Sequence, residues 1–484
     1  MTTEQTTNND SAPTAAAVAD EEAAKMNLVT QTISTNCASS SHEILQKINT
    51  VINESNSDGS KLVATILSGG ITNYSYKVQV DKHPELVVFA KLSFEYALFN
   101  PDAYNDIART ENEYKVMKQV VDRAPDSPLV TPLACWDIEF DGQKAKLLVT
   151  AWSTGDEQFG IQFHEGAVDS RIAPQLAKML VTLHTMESTD SEFNVSVKSS
   201  IVDLLQFVKQ TTAENAKKET PDNRTEAYIS EVGSNVIVQV LDDNINDFEN
   251  TRDCPIHNDF HVYNILVEAK PSIEELEQFG PKGTVIVCDW EMSIVGPIGR
   301  DLGSALAAPI GCLIGHMLNG YREASIDAYI NTLLDCYFAQ MSESGKSEEE
   351  LAYIYRNMIG WTGWIMYIVF YFMKIQLDAF GVESEELQNY MRDSMGVLGL
   401  KFMRLSYDTE YFVAASTGLQ EAKLLFKNMI EDEVIRAKSN FNSRKAKMQP
   451  RKSSIMRASN RRVSDASIYM LSADSLAREL SLNL

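Results

Sequence analysis

Four polar residues between Cys254 and Gly303 have the types and spacing that phosphoryl transfer requires. Asn264 follows Asp259 by five residues, and Asp289 and Glu291 come after a later apolar run. The migrating phosphoryl group is anionic, so its site needs hard cations bound through oxygen ligands. A carboxylate beside the attacking hydroxyl can accept its proton. The pattern predicts Asp259 as the catalytic base and Asn264, Asp289 and Glu291 as magnesium ligands.

Two short apolar runs position these side chains. Residues 265–267 and 285–288 read as paired strands joined by a loop, and each run has polar residues at one end. His257 is interpreted as a buried hydrogen-bonding group and Asp301 as a brace for the catalytic loop. Neither of these two residues is assigned chemistry.

A glycine turn precedes this region in the small N-terminal part of the chain. Within residues 62–80, two β-rich runs flank Gly69 and Gly70, which predicts a hairpin. Glycines allow close backbone approach, so exposed amides of the loop can face phosphates. The residues predicted to cover the phosphates are Ser68, Gly69, Gly70 and Asn73.

A third strand, 86–92, contains Lys91, which is predicted to contact the α- and β-phosphates. A buried lysine needs a carboxylate partner, and the helical segment 110–120 offers Glu111 and Glu113. Glu113 is favoured because its neighbours give that segment an apolar face, while Glu111 stays open as the alternative. A second hairpin is predicted around Asp141-Gly142.

These motifs resemble a known superfamily. His257-Asn258-Asp259 with Asn264 looks like choline and ethanolamine kinases, and so does the Gly-Gly-Ile-Thr-Asn loop. The stretch 296–303, Gly-Pro-Ile-Gly-Arg-Asp-Leu-Gly, resembles methylthioribose kinases, and Asp289-x-Glu291 occurs in both branches. On these residues the chain is identified as a member of the aminoglycoside phosphotransferase and choline kinase superfamily, the small-molecule relatives of protein kinases.

The resemblance implies an α+β, bilobal, protein-kinase-like fold, with a small antiparallel β-sheet in the N-lobe and a mostly helical C-lobe. It implies ATP and Mg²⁺ as cofactors and a small-molecule hydroxyl as acceptor. S-methyl-5-thioribose is the first expectation for that acceptor. Choline, ethanolamine or the substrate of another small-molecule kinase is the second. A non-catalytic, nucleotide-binding pseudokinase is the alternative of another class.

Charge and cysteine usage restrict the partners. The net charge is −24, although eleven Lys or Arg residues stand against three acids from Arg436 onward. Such an acidic body argues against nucleic-acid binding. The six cysteines lie far apart without a CxxC pair, which is typical of reduced intracellular proteins. No secretory signal is evident at the N-terminus, and a cytoplasmic location is predicted.

One apolar run, 358–373, is shorter than the roughly 18 to 20 residues that a membrane span needs, so a buried helix is predicted. Within it, Gly360 and Gly363 would allow close helix packing. Trp361 and Trp364 lie one turn apart, where they could form a wall for a sugar or quaternary amine. Packing in the core is the favoured interpretation.

The predicted organisation has four parts. Residues 1–40 form a disordered segment, 41–152 a kinase-like N-lobe, 153–436 a helical C-lobe with the catalytic stretch 254–303, and 437–484 a basic, disordered tail rich in Ser and Arg. Within the C-lobe, 188–230 reads as a mostly polar insertion. Arg461-Arg462-Val463-Ser464 resembles a basophilic kinase site, so Ser464 is a predicted phosphorylation site. No oligomeric state follows from these patterns.

Overall fold

The computed structural model describes residues 15–54, 59–67, 73–97, 100–104, 106–125, 127–153, 157–187, 195–218, 220–267, 285–319, 323–373, 385–407, 423–433, 435–436 and 439. The chain divides into two compact units. The first comprises Met1–Phe99 and Pro132–Trp152, and the second comprises Asn100–Thr131 and Ser153–Leu484.

The described residues form short strands and longer helices. The strands are β1 Leu62–Leu67, β2 Tyr74–Val80, β3 His83–Phe94, β4 Tyr96–Ala97, β5 Asn100–Tyr104, β6 Pro132–Phe140, β7 Gln143–Ala151, β8 Glu157–Gln158, β9 Cys254–Ile256, β10 Ile265–Val267, β11 Val285–Val287 and β12 Ile294–Gly296. The helices are α1 Ala15–Asn36, α2 Glu43–Glu54, α3 Ala108–Arg123, α4 Phe159–Glu165, α5 Ala173–His184, α6 Val195–Asn215, α7 Arg224–Val232, α8 Ser234–Asn250, α9 Gly299–Leu318, α10 Ala324–Glu343, α11 Glu348–Ile365 and α12 Glu385–Tyr407. Short 3₁₀ turns cover Val262–Asn264 and Trp290–Met292, among others.

The first unit is built on a five-stranded antiparallel sheet with the order β1-β2-β3-β7-β6. β1 pairs with β2 from Leu62 opposite Val80 to Leu67 opposite Ser75, as the glycine hairpin predicted. The second predicted hairpin also forms, and Asp141 and Gly142 have the positive φ angles of 51° and 77° that its tight turn needs.

Helices α1 and α2 supply the apolar side chains that cover one face of this sheet. Val29 and Ile33 of α1 and Ile48 of α2 are fully buried in one cluster with Ala90 and Leu92 of β3. Because side chains alternate along a strand, Lys91 points to the other face.

The disorder predicted for residues 1–40 is wrong for the part that the structure describes, since α1 occupies Ala15–Asn36. Val29, Ile33 and Cys37 recur every four residues and form a fully buried stripe. Lys25 is also buried, and its ammonium donates to the Tyr74 hydroxyl at 2.6 Å. The polar composition of this segment concealed a helix with one apolar face.

The second unit is mostly helical. Its small strands form two antiparallel sheets, β11-β10-β8 and β12-β9. The strand pair expected beside the catalytic loop is confirmed, with Ile265 opposite Val287 and Val267 opposite Val285. A small antiparallel sheet followed by a helical region is the fold class that the sequence predicted.

Residues 358–370 are buried throughout and continue from α11 into a π-helical segment, Met366–Phe372, which confirms a buried helix. At Gly363 a Cβ would collide with the backbone oxygen of Gly399, so the glycine permits the close crossing of α11 and α12. Among the described helices, α9 alone is long and apolar enough to span a membrane, but 89% of that stretch is buried inside the protein.

The polar stretch 188–230 contributes more to the core than its composition indicated. Helices α6 and α7 occupy most of its described residues. Val197, Ile201, Leu205 and Val208 form a buried stripe along α6. Helical spacing therefore makes this segment part of the large core rather than a surface insertion.

Candidate active site

The catalytic loop runs from the end of β9 to the start of β10. Asp259 is half-buried, with its side chain 25% exposed. The Asn264 amide donates to the Asp259 carboxylate Oδ2 at 3.1 Å and to the Asp259 backbone oxygen at 3.0 Å. These two bonds hold the Asn264 amide nitrogen against Asp259, so the amide oxygen, which is the predicted magnesium ligand, takes part in neither of them.

The pKa of Asp259 is set by opposing effects. Burial alone would raise it, but His261, His257 and Arg300 outweigh burial and lower the pKa to about 2. The Nε2 atom of His261 lies 3.5 Å from Oδ2 of the carboxylate. Asp259 is therefore ionised at neutral pH.

His261 is a neighbour whose contact the sequence patterns did not identify. Its Nδ1 accepts the backbone N–H of Tyr263 at 3.2 Å. An Nδ1 that accepts a hydrogen bond carries no proton, so in the neutral ring Nε2 carries it and presents it to Asp259. The second histidine of the His-x-Asp-x-His pattern was the available signal.

His257 has the structural role expected of it. It is fully buried, and burial is the main reason why its pKa is lowered. Nδ1 accepts the Asp259 N–H at 3.3 Å, which leaves Nε2 to donate to the backbone oxygen of Cys288 at 3.0 Å. The ring thus ties the catalytic loop to the residue before Asp289.

Asp301 braces the same loop from the first turn of α9. Its Oδ2 accepts the His257 N–H at 2.8 Å, and its Oδ1 accepts the Asn258 N–H at 2.7 Å. His184 contacts Oδ2 at 3.2 Å, and the hydroxyl of Tyr337 lies 2.8 Å from the other ring nitrogen of His184. The buried carboxylate therefore satisfies two backbone donors of the loop.

Three carboxylates meet beside the strand that precedes Asp289. Glu113, Asp289 and Glu291 each place one oxygen so that all three lie within 4.8 Å of one another. Asp289 has a left-handed backbone with φ of 64°, and the following N–H, that of Trp290, donates to Glu113 at 3.2 Å. Because clustered negative charges repel, such a group is suited to a hard divalent cation. The cluster contains two of the predicted magnesium ligands.

Glu113 was predicted to pair with Lys91, and in the structure it also belongs to the carboxylate cluster with Asp289 and Glu291. Glu113 is 4% exposed, whereas Glu111 is a surface residue whose carboxylate lies 2.7 Å from Lys115. The next-door Asn112 donates to the backbone oxygen of Ser293 at 2.8 Å and so fixes α3 against the 289–293 turn. Burial favours Glu113 over Glu111 as the functional carboxylate.

The predicted phosphate-binding residues lie in the first unit. Lys91 is buried on β3, opposite Ser75 of β2 and Leu148 of β7. Asn73, at the start of β2, is buried as well. Ser68, Gly69 and Gly70 lie outside the described residues. The structure thus brings together Asp259 with Asn264, and Glu113 with Asp289 and Glu291.

Trp361 and Trp364 are buried, as core packing predicted. They line a cage of aromatic rings around the guanidinium of Arg300, whose Cζ lies 4.7 Å from each indole centroid. Arg300 lies in the 296–303 motif, but the sequence predicted no role for it, because the aromatic rings that surround its guanidinium come from distant segments.

A comparison with curated proteins finds no significant match. Among solved structures, the chain is similar to the microcompartment-associated aminopropanol kinase, with 11% identity, a TM-score of 0.39, and coverage of 73% of this chain and 93% of that one. A model of the phosphotransferase enzyme family (APH) matches residues 63–332, more than half of the chain. The protein therefore belongs to the phosphotransferase enzyme family, within the aminoglycoside phosphotransferase and choline kinase superfamily.

Proposed function

We propose that this phosphotransferase moves the γ-phosphoryl group of MgATP to a hydroxyl of a small molecule, with Asp259 as the base. The observation that carries the proposal is the half-buried, ionised Asp259 carboxylate held by the amide of Asn264. A carboxylate in that state can orient a hydroxyl and accept its proton.

The transfer requires little covalent chemistry from the protein. The acceptor oxygen forms a bond to the γ-phosphorus while the bond to the bridging oxygen breaks, and ADP leaves. Asp259 accepts the proton that the hydroxyl loses. Its pKa of about 2 suits a residue that mainly positions the hydroxyl and accepts the proton late in the transfer.

The donor set fits magnesium. Asn264 offers an amide oxygen, and Asp289, Glu291 and Glu113 offer carboxylate oxygens, which are the ligands that magnesium prefers. When bound, the ion would neutralise charge on the phosphates. Lys91, paired with Glu113, would orient the α- and β-phosphates, and the loop from Ser68 to Asn73 would cover them.

For the acceptor, S-methyl-5-thioribose is the first candidate, on the resemblance of residues 296–303 to methylthioribose kinases. Choline or ethanolamine is the second. A quaternary amine is commonly held by aromatic faces. The Trp361 and Trp364 faces already contact Arg300, so this pair does not serve choline.

The cellular location, the limits of the two lobes and the role of the C-terminal tail also remain proposals. A cytoplasmic location agrees with the cysteine pattern. The N-lobe and C-lobe limits at 41–152 and 153–436 stay predictions. Apart from residue 439, the basic tail 437–484 lies outside the described residues, and the tail and its Ser464 site also stay predictions.

The test is an acceptor panel. Purified protein and MgATP are incubated with methylthioribose, choline, ethanolamine, homoserine or an aminoglycoside, and ADP release is measured. Turnover with methylthioribose alone supports the first candidate, whereas turnover with choline or ethanolamine replaces it with the second. MgATP binding with no turnover on any of these acceptors would exclude both candidates and leave the acceptor open.

A further inference from the structure

Arg300 is a buried cation enclosed by aromatic rings. Its guanidinium carbon lies 4.8 Å from the Phe248 ring centroid and 4.7 Å from those of Trp361 and Trp364. The residue is 5% exposed. Phe248 comes from α8 and the two tryptophans from α11, so two other helices fix the position of this one side chain.

The enclosure directs one donor at the catalytic loop. The Arg300 Nε donates to the Asn258 side-chain oxygen. The Asn258 amide in turn donates to the backbone oxygen of Met292 at 2.9 Å, within the turn that carries Asp289 and Glu291. Asn258 therefore links the base loop, residues 257–259, with the metal loop, residues 289–292.

The backbone of Asn258 explains why this link needs a fixed partner. Its φ of 69° lies in the left-handed region, which asparagine tolerates better than most residues but at a cost. Two bonds of its side chain and the N–H bond to Asp301 hold it there. The residue beside the base is thus positioned by contacts of its side-chain amide and its backbone N–H.

The three aromatic rings also help to explain how the Arg300 guanidinium stays charged although it is buried. Burial lowers the pKa of Arg300 to about 10, so the guanidinium stays charged at neutral pH. Its Nη1 has no hydrogen-bond partner among the described residues. Three aromatic faces supply attraction to the cation in place of that bond. Such a costly arrangement suits a residue that fixes a geometry.

We propose that Arg300 is a positioning residue for phosphoryl transfer, acting through Asn258 to hold the base loop and the metal loop in register. The inference rests on the proposed function of Asp259 and Asp289. Misplacing groups behind a metal site commonly costs about 10- to 100-fold in activity. Among the described residues, the Arg300 side chain donates to Asn258 and not to the base or the predicted metal ligands, while its charge also helps to lower the pKa of Asp259.

The test compares Arg300→Met, which keeps most of the volume, with Arg300→Lys, which keeps the charge and a donor. Arg224→Met is the matched control, because Arg224 is a partly buried arginine whose Nη2 contacts Glu433 at 2.6 Å. For each protein, kcat and KM for MgATP are measured with the acceptor that the panel identifies. Amide hydrogen exchange is followed over residues 254–264 and 285–292.

The expected result is a kcat about 10- to 100-fold lower for Arg300→Met with little change in KM for MgATP, and partial recovery in Arg300→Lys. Exchange should accelerate in both segments for Arg300→Met and in neither for Arg224→Met. Unchanged exchange in both segments would overturn the positioning role, as would unchanged kcat. If the wild-type protein neither binds nor turns over MgATP, the proposed function fails, while the exchange data still decide whether Arg300 fixes the two loops.

Discussion

Asp301 and Glu433 are both carboxylates with fully buried side chains in the second unit, but their partners differ in kind. Asp301 accepts from two backbone N–H groups of the catalytic loop and contacts His184. Glu433 is held by the long side chains of Arg224, at 2.6 Å, and Lys401, at 3.5 Å. A buried charge is costly in either place. At Asp301 the interactions fix the loop that carries the base, whereas at Glu433 they join helices remote from that loop.

The largest expected effect is that of Asp301→Asn. The new amide presents a donor where the carboxylate accepted hydrogen bonds, so a backbone N–H of the loop loses its partner. The free energy of unfolding should fall by about 1–3 kcal/mol, because a buried donor is left unsatisfied. Turnover should fall by roughly 10²-fold, since displacement of the base by about 1 Å is enough. Denaturant titration and ADP release measure the two effects.

The control for that variant is Asp253→Asn. Asp253 accepts from the Ile298 N–H at 3.1 Å and from the Tyr353 hydroxyl at 2.9 Å, so it stabilises the same helix end without touching the loop. It should lose stability while turnover per folded molecule is kept. An equal loss of turnover in both variants would remove the distinction between loop positioning and helix stability.

The next effect compares a buried with an exposed glutamate on α3. Glu113→Gln should weaken magnesium-dependent nucleotide binding by about 10- to 100-fold, because it removes one charge from the carboxylate cluster. Glu111→Gln should change it little, since the ion pair of Glu111 with Lys115 is at the surface. Calorimetric titration of MgADP measures both. Equal affinities in the two variants would exclude Glu113 from the site.

The acid sensitivity of the fold is the third expectation. The pKa of Asp259 is about 2 in the folded protein, below its usual 3.8. The ionised carboxylate therefore stabilises the fold at pH values above 3.8. That contribution, about 2 kcal/mol, is lost as the pH falls from about 4 to 2. Urea midpoints of the wild type and Asp259→Asn should therefore converge between pH 6 and pH 2. A constant difference over that range would contradict the lowered pKa.

The smallest effect is expected for a substitution at Glu433. Glu433→Gln keeps the shape but weakens the bonds to Arg224 and Lys401, which should cost about 1 kcal/mol of stability. Because these contacts join α7 and α12 with residues 423–433, turnover should stay at the wild-type level. Loss of turnover without loss of stability would show that this centre communicates with the site.

Much of the first unit was predictable because hairpins are local. The Gly-Gly and Asp141-Gly142 turns predicted two strand pairings, and the structure confirms both. The catalytic segment was predictable for the same reason, since Asp259, Asn264 and Asp289 are ordered around two short strands. The composition of residues 1–40 led to the wrong prediction of disorder. The buried residues Val29, Ile33 and Cys37 form an apolar stripe, but they are a small part of a mostly polar segment.

The bracing role of Asp301 was predicted from the sequence, but the partners of the positioning residues were not, because these partners come from distant parts of the chain. Arg300 meets rings of α8 and α11, and Asp301 meets His184 of α5. Glu113 joins Asp289 and Glu291 through tertiary packing that no local pattern encodes. Sequence spacing therefore identified the candidate residues for phosphate and magnesium binding, and the structure was needed to find the contacts that hold those residues in place.

The most direct test of the central claim is single-turnover phosphoryl transfer by Asp259→Asn, paired with calorimetric titration of MgADP. The variant keeps the shape of the side chain but loses the charge that accepts the proton. We expect turnover to fall by about 10²-fold or more while the affinity for MgADP stays within about twofold. Turnover at the wild-type rate, with the nucleotide still bound, would show that Asp259 is not the base.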